Sequence, residues 1–226
     1  MYLLIPLLLL LTLLVGPGLW ARQVLERYRA WTGFPGSGEQ FARHLLERLK
    51  LTEVRVETTP GGDHYDPRER VVRLNEATSG ERSLTAIVVA AHEVGHALQH
   101  AQNFRPLEMR AQLVALAQRG ERLGSLALVA LPVATALTRS PGVGLLMAVA
   151  GFLVLALPAL VHLITLPVEW DASFRRALPI LQAGGYLDER QMPAARRILT
   201  ACALTYLAGS LISLLNVWRW LRVLRR

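Results

Sequence analysis

Cysteine and lysine are nearly absent from this chain: Cys202 is the only cysteine and Lys50 the only lysine. One thiol cannot form an internal disulfide, so no oxidised framework is expected to hold the fold. No internal repeat or low-complexity tract appears, which argues against a solenoid or a long linker. Basic residues are not interleaved with aromatics in the manner of a nucleic-acid surface, so no nucleic-acid partner is expected. The N-terminus also lacks a signal-peptide pattern. Met1-Tyr2 leads straight into an apolar run with no basic residue before it, and Gly16-Pro17-Gly18-Leu19-Trp20 follows in place of an Ala-x-Ala site. An uncleaved anchor fits this better than a cleaved leader.

What the chain has in plenty is apolar side chain. Its 226 residues are 52% hydrophobic, and the mean hydropathy is +0.32, high for an ordinary soluble domain. The apolar residues are clumped into four runs: Leu3 to Trp20, Leu123 to Thr138, Val143 to Val168 and Leu199 to Trp218. A spanning helix needs ~20 apolar residues, and three runs reach or approach that length. The second is shorter and contains Pro132; Arg139-Ser140-Pro141-Gly142 reads as a tight turn joining it to the third. Trp20, Trp31, Trp170, Trp218 and Trp220 fall near the ends of these runs, as an aromatic belt requires. The expected fold class is therefore a mainly α integral membrane protein with about four transmembrane helices and a lipid bilayer as partner. Net charge is +8 and almost wholly arginine, suited to anionic head groups. Twelve arginines flank the runs on one side and five on the other, which places the richer side in the cytoplasm.

Between the runs lies a polar portion. Glu39 to Leu49 carries Phe41, Leu45, Leu46 and Leu49 on one helical face. Val54 to Thr58 and Arg70 to Leu74 alternate as strands of a short β-hairpin, with Pro60-Gly61-Gly62 as a turn. Asp63-His64-Tyr65-Asp66-Pro67 forms a compact polar cluster between them.

The motif that carries chemistry is His92-Glu93-Val94-Gly95-His96. On a helix, His92 and His96 stand four residues apart and share one face, where two imidazoles can hold one Zn²⁺. Glu93 lies beside them, placed to take a proton from water activated at the metal. The flanking residues Leu84 to Ala91 are apolar and helix-compatible, so three polar groups interrupting them call for a reason. A catalytic zinc needs a third protein ligand. His100 lies ~12 Å along the helix from His92 and cannot reach the same ion without a chain reversal. His44 reads as solvated, and His162 lies deep in the third run. His64 could swing in from the polar cluster. Glu169 is the strongest candidate, since a carboxylate leaving an apolar helix is expensive unless paired or metal-bound. Asp171 is its rival, or else orients a ligating histidine. His64 and Tyr65 are the candidate donors to a developing oxyanion.

Together the N-terminal run, Asp63 to Pro67, Ala90 to His100 and Leu166-Pro167-Val168-Glu169-Trp170-Asp171-Ala172-Ser173 closely resemble the YugP-like bacterial membrane zinc metallopeptidases, over essentially the whole chain. More distantly the chain resembles the HtpX-like membrane gluzincins, whose third ligand stands in a Glu-x-x-Ala-Asp pattern. Here Glu169 and Ala172 match, but Ser173 replaces the Asp, so Ser173 or Asp171 would have to take over the orienting task. The resemblance implies Zn²⁺, peptide or protein substrates and a site facing the cytoplasm at the bacterial inner membrane. The expected organisation is an anchor over residues 1–20, a zincin-like α+β catalytic portion over 21–122, a transmembrane hairpin over 123–168, a third-ligand segment over 169–198, and a last helix with a basic tail over 199–226. The expected activity is a metalloendopeptidase acting on membrane or misfolded proteins. The alternative is a zinc-binding membrane scaffold without catalysis, which would have no need of Glu93. Neither the cleavage preference nor the oligomeric state is written in the sequence.

Overall fold

The structure is a computed structural model. It describes the backbone of residues 4–214, while most side chains at 4–14, 121–129, 151–165 and 206–214 fall outside the described residues. Among the described residues it is mostly helical with one small sheet. Helix α1 (Leu4–Arg29) is followed by α2 (Gly38–Arg48), the strands β1 (Arg55–Thr59), β2 (His64–Asp66) and β3 (Val71–Asn75), and then the short α3 (Glu76–Gly80). Next comes α4 (Leu84–Ala101), then α5 (Arg105–Thr138) and α6 (Pro141–Trp170), which lie against each other. A π-helical segment (Asp171–Ala177), α7 (Leu178–Ala183) and α8 (Met192–Leu214) complete the order.

Helix starts follow local chemistry. At α2, Ser37 accepts from the Gln40 N–H while the Gln40 side chain accepts from the Ser37 N–H, a reciprocal capping box. At α4, Ser83 accepts from the Ala86 N–H. Helix α4 is central: nearly every residue from Leu84 to Ala97 is buried, and Leu84, Ile87, Val88, Val89 and Val94 join one core cluster with Leu45, Leu46, Val72, Leu74, Ile198 and Leu199. Each fully buried Leu, Ile or Val contributes ~1.5–3 kcal/mol, so the helix that carries the histidines is held rigidly on all sides.

Two expectations need correction. The predicted hairpin pairs the wrong strands. β1 and β3 are neighbours but run parallel, with Arg55 opposite Val71 and Thr59 opposite Asn75. The antiparallel partner of β3 is β2, and the sheet order is β1-β3-β2. Alternation marks which residues face the core, but it is the same for both strand directions.

The second correction concerns the membrane. About four transmembrane helices were expected, but among the described residues no helix is long and apolar enough to cross a membrane. Charge stands at the ends of two of the long helices. α1 ends in Arg22, Glu26, Arg27 and Arg29, and α5 opens with Arg105, Glu108 and Arg110. α4, uncharged before Glu93, is enclosed by protein rather than lipid. Many side chains of the runs 3–20, 143–168 and 199–218, that of His162 included, lie outside the described residues, as do Trp218 and Trp220 altogether. The expected turn at Arg139-Ser140 does separate α5 from α6, with Arg139 in the left-handed region at φ 49°.

Candidate metal centre

The centre is built where α4 meets the end of α6 and the π-helical segment. His92 and His96 share one face of α4, their rings edge to face with centroids 4.8 Å apart. Glu169, on the last turn of α6, brings its Oε2 to 3.3 Å from His92 Nε2 and 3.2 Å from His96 Nε2. All three side chains are buried, and their ligand atoms lie within 4.8 Å of one another. The structure thus brings together His92, His96 and Glu169, the three metal-ligating candidates.

The other ring nitrogens are occupied. Ser173 Oγ lies 3.0 Å from His92 Nδ1 and donates to the Leu199 carbonyl at 3.1 Å. Gln99 Oε1 lies 2.9 Å from His96 Nδ1. With Nδ1 engaged on both rings, both Nε2 atoms face one carboxylate oxygen. Electron-pair donors that converge at such distances need a shared cation or proton between them. Two imidazoles and a carboxylate make a ligand set suited to zinc, so the residues present fit the metal.

Burial raises the Glu169 carboxyl, but His96, His92 and Arg110 outweigh it and hold the group well below the usual carboxylate range. Arg110, on α5, donates to Glu169 Oε1, leaving Oε2 to the histidines. Glu93 is also buried, and among the described residues its Oε2 has no hydrogen-bond partner. Burial pushes its carboxyl up to about 8, with His92 opposing and Asp63 and Glu169 adding to the rise. An unpaired buried acceptor costs ~1–3 kcal/mol, and a native fold keeps one only for a reason.

A cavity of about 330 Å³ opens beside His96, lined by Tyr65, Asp66, Pro67, Arg68, Leu107 and Arg110 among others. Edge strand β2 therefore forms one wall and α5 another. Tyr65 bonds His100 Nδ1 at 2.8 Å, and burial pushes its phenol up to about 12. His100 stands outside the metal cluster. His64 does not line this cavity, and its Nδ1 pairs with the Gly62 carbonyl at 2.8 Å. Asp63 accepts from Asn75 and Thr78, tying the polar cluster to the start of α3.

Close approach of the two halves depends on Gly95. A Cβ there would stand 2.8 Å from the Ala172 carbonyl oxygen, which is backbone and cannot swing aside. Gly95→Ala is therefore expected to push the π-helical segment off α4 and to weaken zinc binding by at least ~10-fold, in the range seen when ligand orientation is disturbed. Zinc titration against a competing chelator reads this, and unchanged affinity would contradict it.

Two contributors were not legible in the sequence. Gln99 reads as mere continuation of the helix, although a polar residue three positions after His96 on a buried helix was an available signal. Arg110 reads as one more flanking charge, and only tertiary packing sets it against Glu169. The π-helical segment, closed by the Leu178 N–H to the Ser173 carbonyl, has no sequence signature, yet such turns gather at functional sites.

A family model described as "Putative neutral zinc metallopeptidase" matches residues 1–225. The "Putative membrane protease YugP" of Bacillus subtilis (strain 168) is 33% identical over 227 residues, covering 92% of this chain and 92% of that protein. No solved structure matches.

Proposed function

The chain belongs to the neutral zinc metallopeptidase family, and from that premise we propose that it is a metalloendopeptidase whose zinc is held by His92, His96 and Glu169. The observation that carries this reading is the convergence of both Nε2 atoms on Glu169 Oε2 in a buried site. Zinc bound there supplies a Lewis acid that polarises a carbonyl and acidifies water. Glu93, a buried carboxyl of the same helix whose Oε2 has no partner among the described residues, takes the proton from the attacking water and returns it to the leaving amine. A scaffold that only bound zinc would gain nothing from this destabilising group.

The substrate lies in the cavity along β2. The outer edge of that strand, unpaired among the described strands, offers backbone groups to an extended peptide. Of the two candidate oxyanion donors, Tyr65 is the better placed because it lines the cavity. When His100 Nδ1–H donates to the phenol oxygen, the hydroxyl proton is left to point at a substrate carbonyl. Tyr65→Phe is expected to lower kcat by ~10²-fold with little change in KM. Steady-state kinetics on one peptide checks it; an unchanged kcat removes Tyr65 from the role.

The Bacillus relative is called a membrane protease, and we extend membrane association to this chain. The support is its exposed apolar surface: Leu116, Leu123, Leu126, Leu137, Leu145 and Leu146 on α5 and α6 are each more than 60% exposed. Large exposed apolar side chains in such number suit an interaction surface, and the net charge of +8 suits anionic head groups. Substrates would then be membrane or misfolded proteins presented at the bilayer surface. Zinc analysis followed by a casein and membrane-protein cleavage assay tests the function. About one zinc per chain with chelator-sensitive cleavage is the expected result, and zinc binding without cleavage would return the scaffold reading.

A further inference from the structure

The hydrogen bonds behind the histidines have only one consistent direction. Gln99 Nε2 donates to two groups that can only accept: the Val168 carbonyl at 2.9 Å and Asp171 Oδ2 at 2.9 Å. The amide therefore cannot flip, and its Oε1 must face His96 Nδ1. An oxygen there accepts, so His96 Nδ1 carries the proton and Nε2 presents a lone pair to the centre. Asp171 is itself clamped, since Arg176 Nε donates to the same Oδ2 at 2.8 Å, and both side chains are largely buried. The carboxylate usually found next to a ligating histidine is here one step further out, with a neutral amide between.

We propose that Gln99, locked by Val168, Asp171 and Arg176, is the positioning residue that fixes the tautomer and ring orientation of His96 for zinc. The inference rests on the metal site proposed above. Ser173 does the parallel work for His92: its hydroxyl proton goes to the Leu199 carbonyl, so its oxygen accepts Nδ1–H. The two rings are thus held by two neutral acceptors, and neither acceptor adds charge to the centre. The chain Arg176–Asp171–Gln99–His96 joins the π-helical segment to α4, so the segment that follows Glu169 also orients the second histidine.

The test is zinc affinity, measured by competition with a chromogenic chelator on the full chain. Gln99→Leu is expected to weaken zinc by ~10–100-fold. Gln99→Glu keeps the shape but sets a second carboxylate against Asp171, and a loss of similar size is expected. It also leaves a carboxylate oxygen against the Val168 carbonyl. A second readout is one that mere packing would not move: in the zinc-loaded parent the His96 Nδ1–H is expected as a slowly exchanging proton resonance, because it donates to Gln99 Oε1, and Gln99→Leu should lose that protection. If Gln99→Leu does not fold, the nearly isosteric Gln99→Glu carries the affinity comparison. Zinc affinity within threefold of the parent in Gln99→Leu, or an equally protected His96 Nδ1–H in that variant, overturns the proposal. A parent chain that binds no zinc overturns instead the metal-site reading beneath it.

Discussion

Glu93→Gln is expected to lower kcat/KM by at least ~10²–10⁴-fold, the contribution of a positioned general base, while zinc stays near one per chain. The separation follows from the geometry. Glu93 is buried beside His92 but is not one of the groups whose atoms converge at the centre. Its Oε2 has no partner among the described residues, so the amide breaks no bond there. The substitution also removes a carboxyl that burial penalises, so the melting temperature should hold or rise, the usual trade at a functional site. Peptide hydrolysis, metal content and thermal unfolding measured on one preparation check all three. Cleavage near the parent rate would remove Glu93 from the mechanism.

The second large effect is expected at the third ligand. Glu169→Gln should weaken zinc by more than the ~10–100-fold typical of an outer partner, so that the protein purifies with well under one zinc per chain. Two losses combine. The amide is a poor ligand next to two imidazoles, and Arg110 loses the carboxylate it donates to, which costs part of what holds Glu169's side chain in place. Asp171→Asn is the control: that oxygen faces Gln99 and Arg176 rather than the imidazole pair, and its effect should be smaller. Equal losses in both variants, or near-parent affinity in Glu169→Gln, would assign the oxygen ligand elsewhere.

The sequence shows some of these features more plainly than others. The His92–His96 pair is written in the helical repeat itself, and Glu169 is marked by the cost of a carboxylate at the end of an apolar run. Ser173 stands out as the departure from Glu-x-x-Ala-Asp, and it does meet His92. The strand residues were visible in their alternation, but their direction was not, because β2, which lies between β1 and β3 in sequence, pairs on the outer side of β3 and leaves β1 and β3 to pair directly in parallel. Clumped leucines suggested spans, since composition does not say where a helix stops: α1 and α5 run on through Glu26, Arg27, Glu108 and Arg110. Gln99 and Arg110 meet partners some 60 to 70 positions away, and no local pattern encodes such a meeting. Gly95 lies in plain view inside the motif, yet its need appears only when the Ala172 carbonyl is set against it.

The most direct test is an anomalous difference map at the zinc edge, from crystals of the metal-loaded chain. One peak is expected at ~2.0–2.2 Å from His92 Nε2, His96 Nε2 and a Glu169 carboxylate oxygen, with Glu93 outside bonding distance. A peak bound through His64 or His100, or one from which Glu169 is absent, would contradict this ligand set.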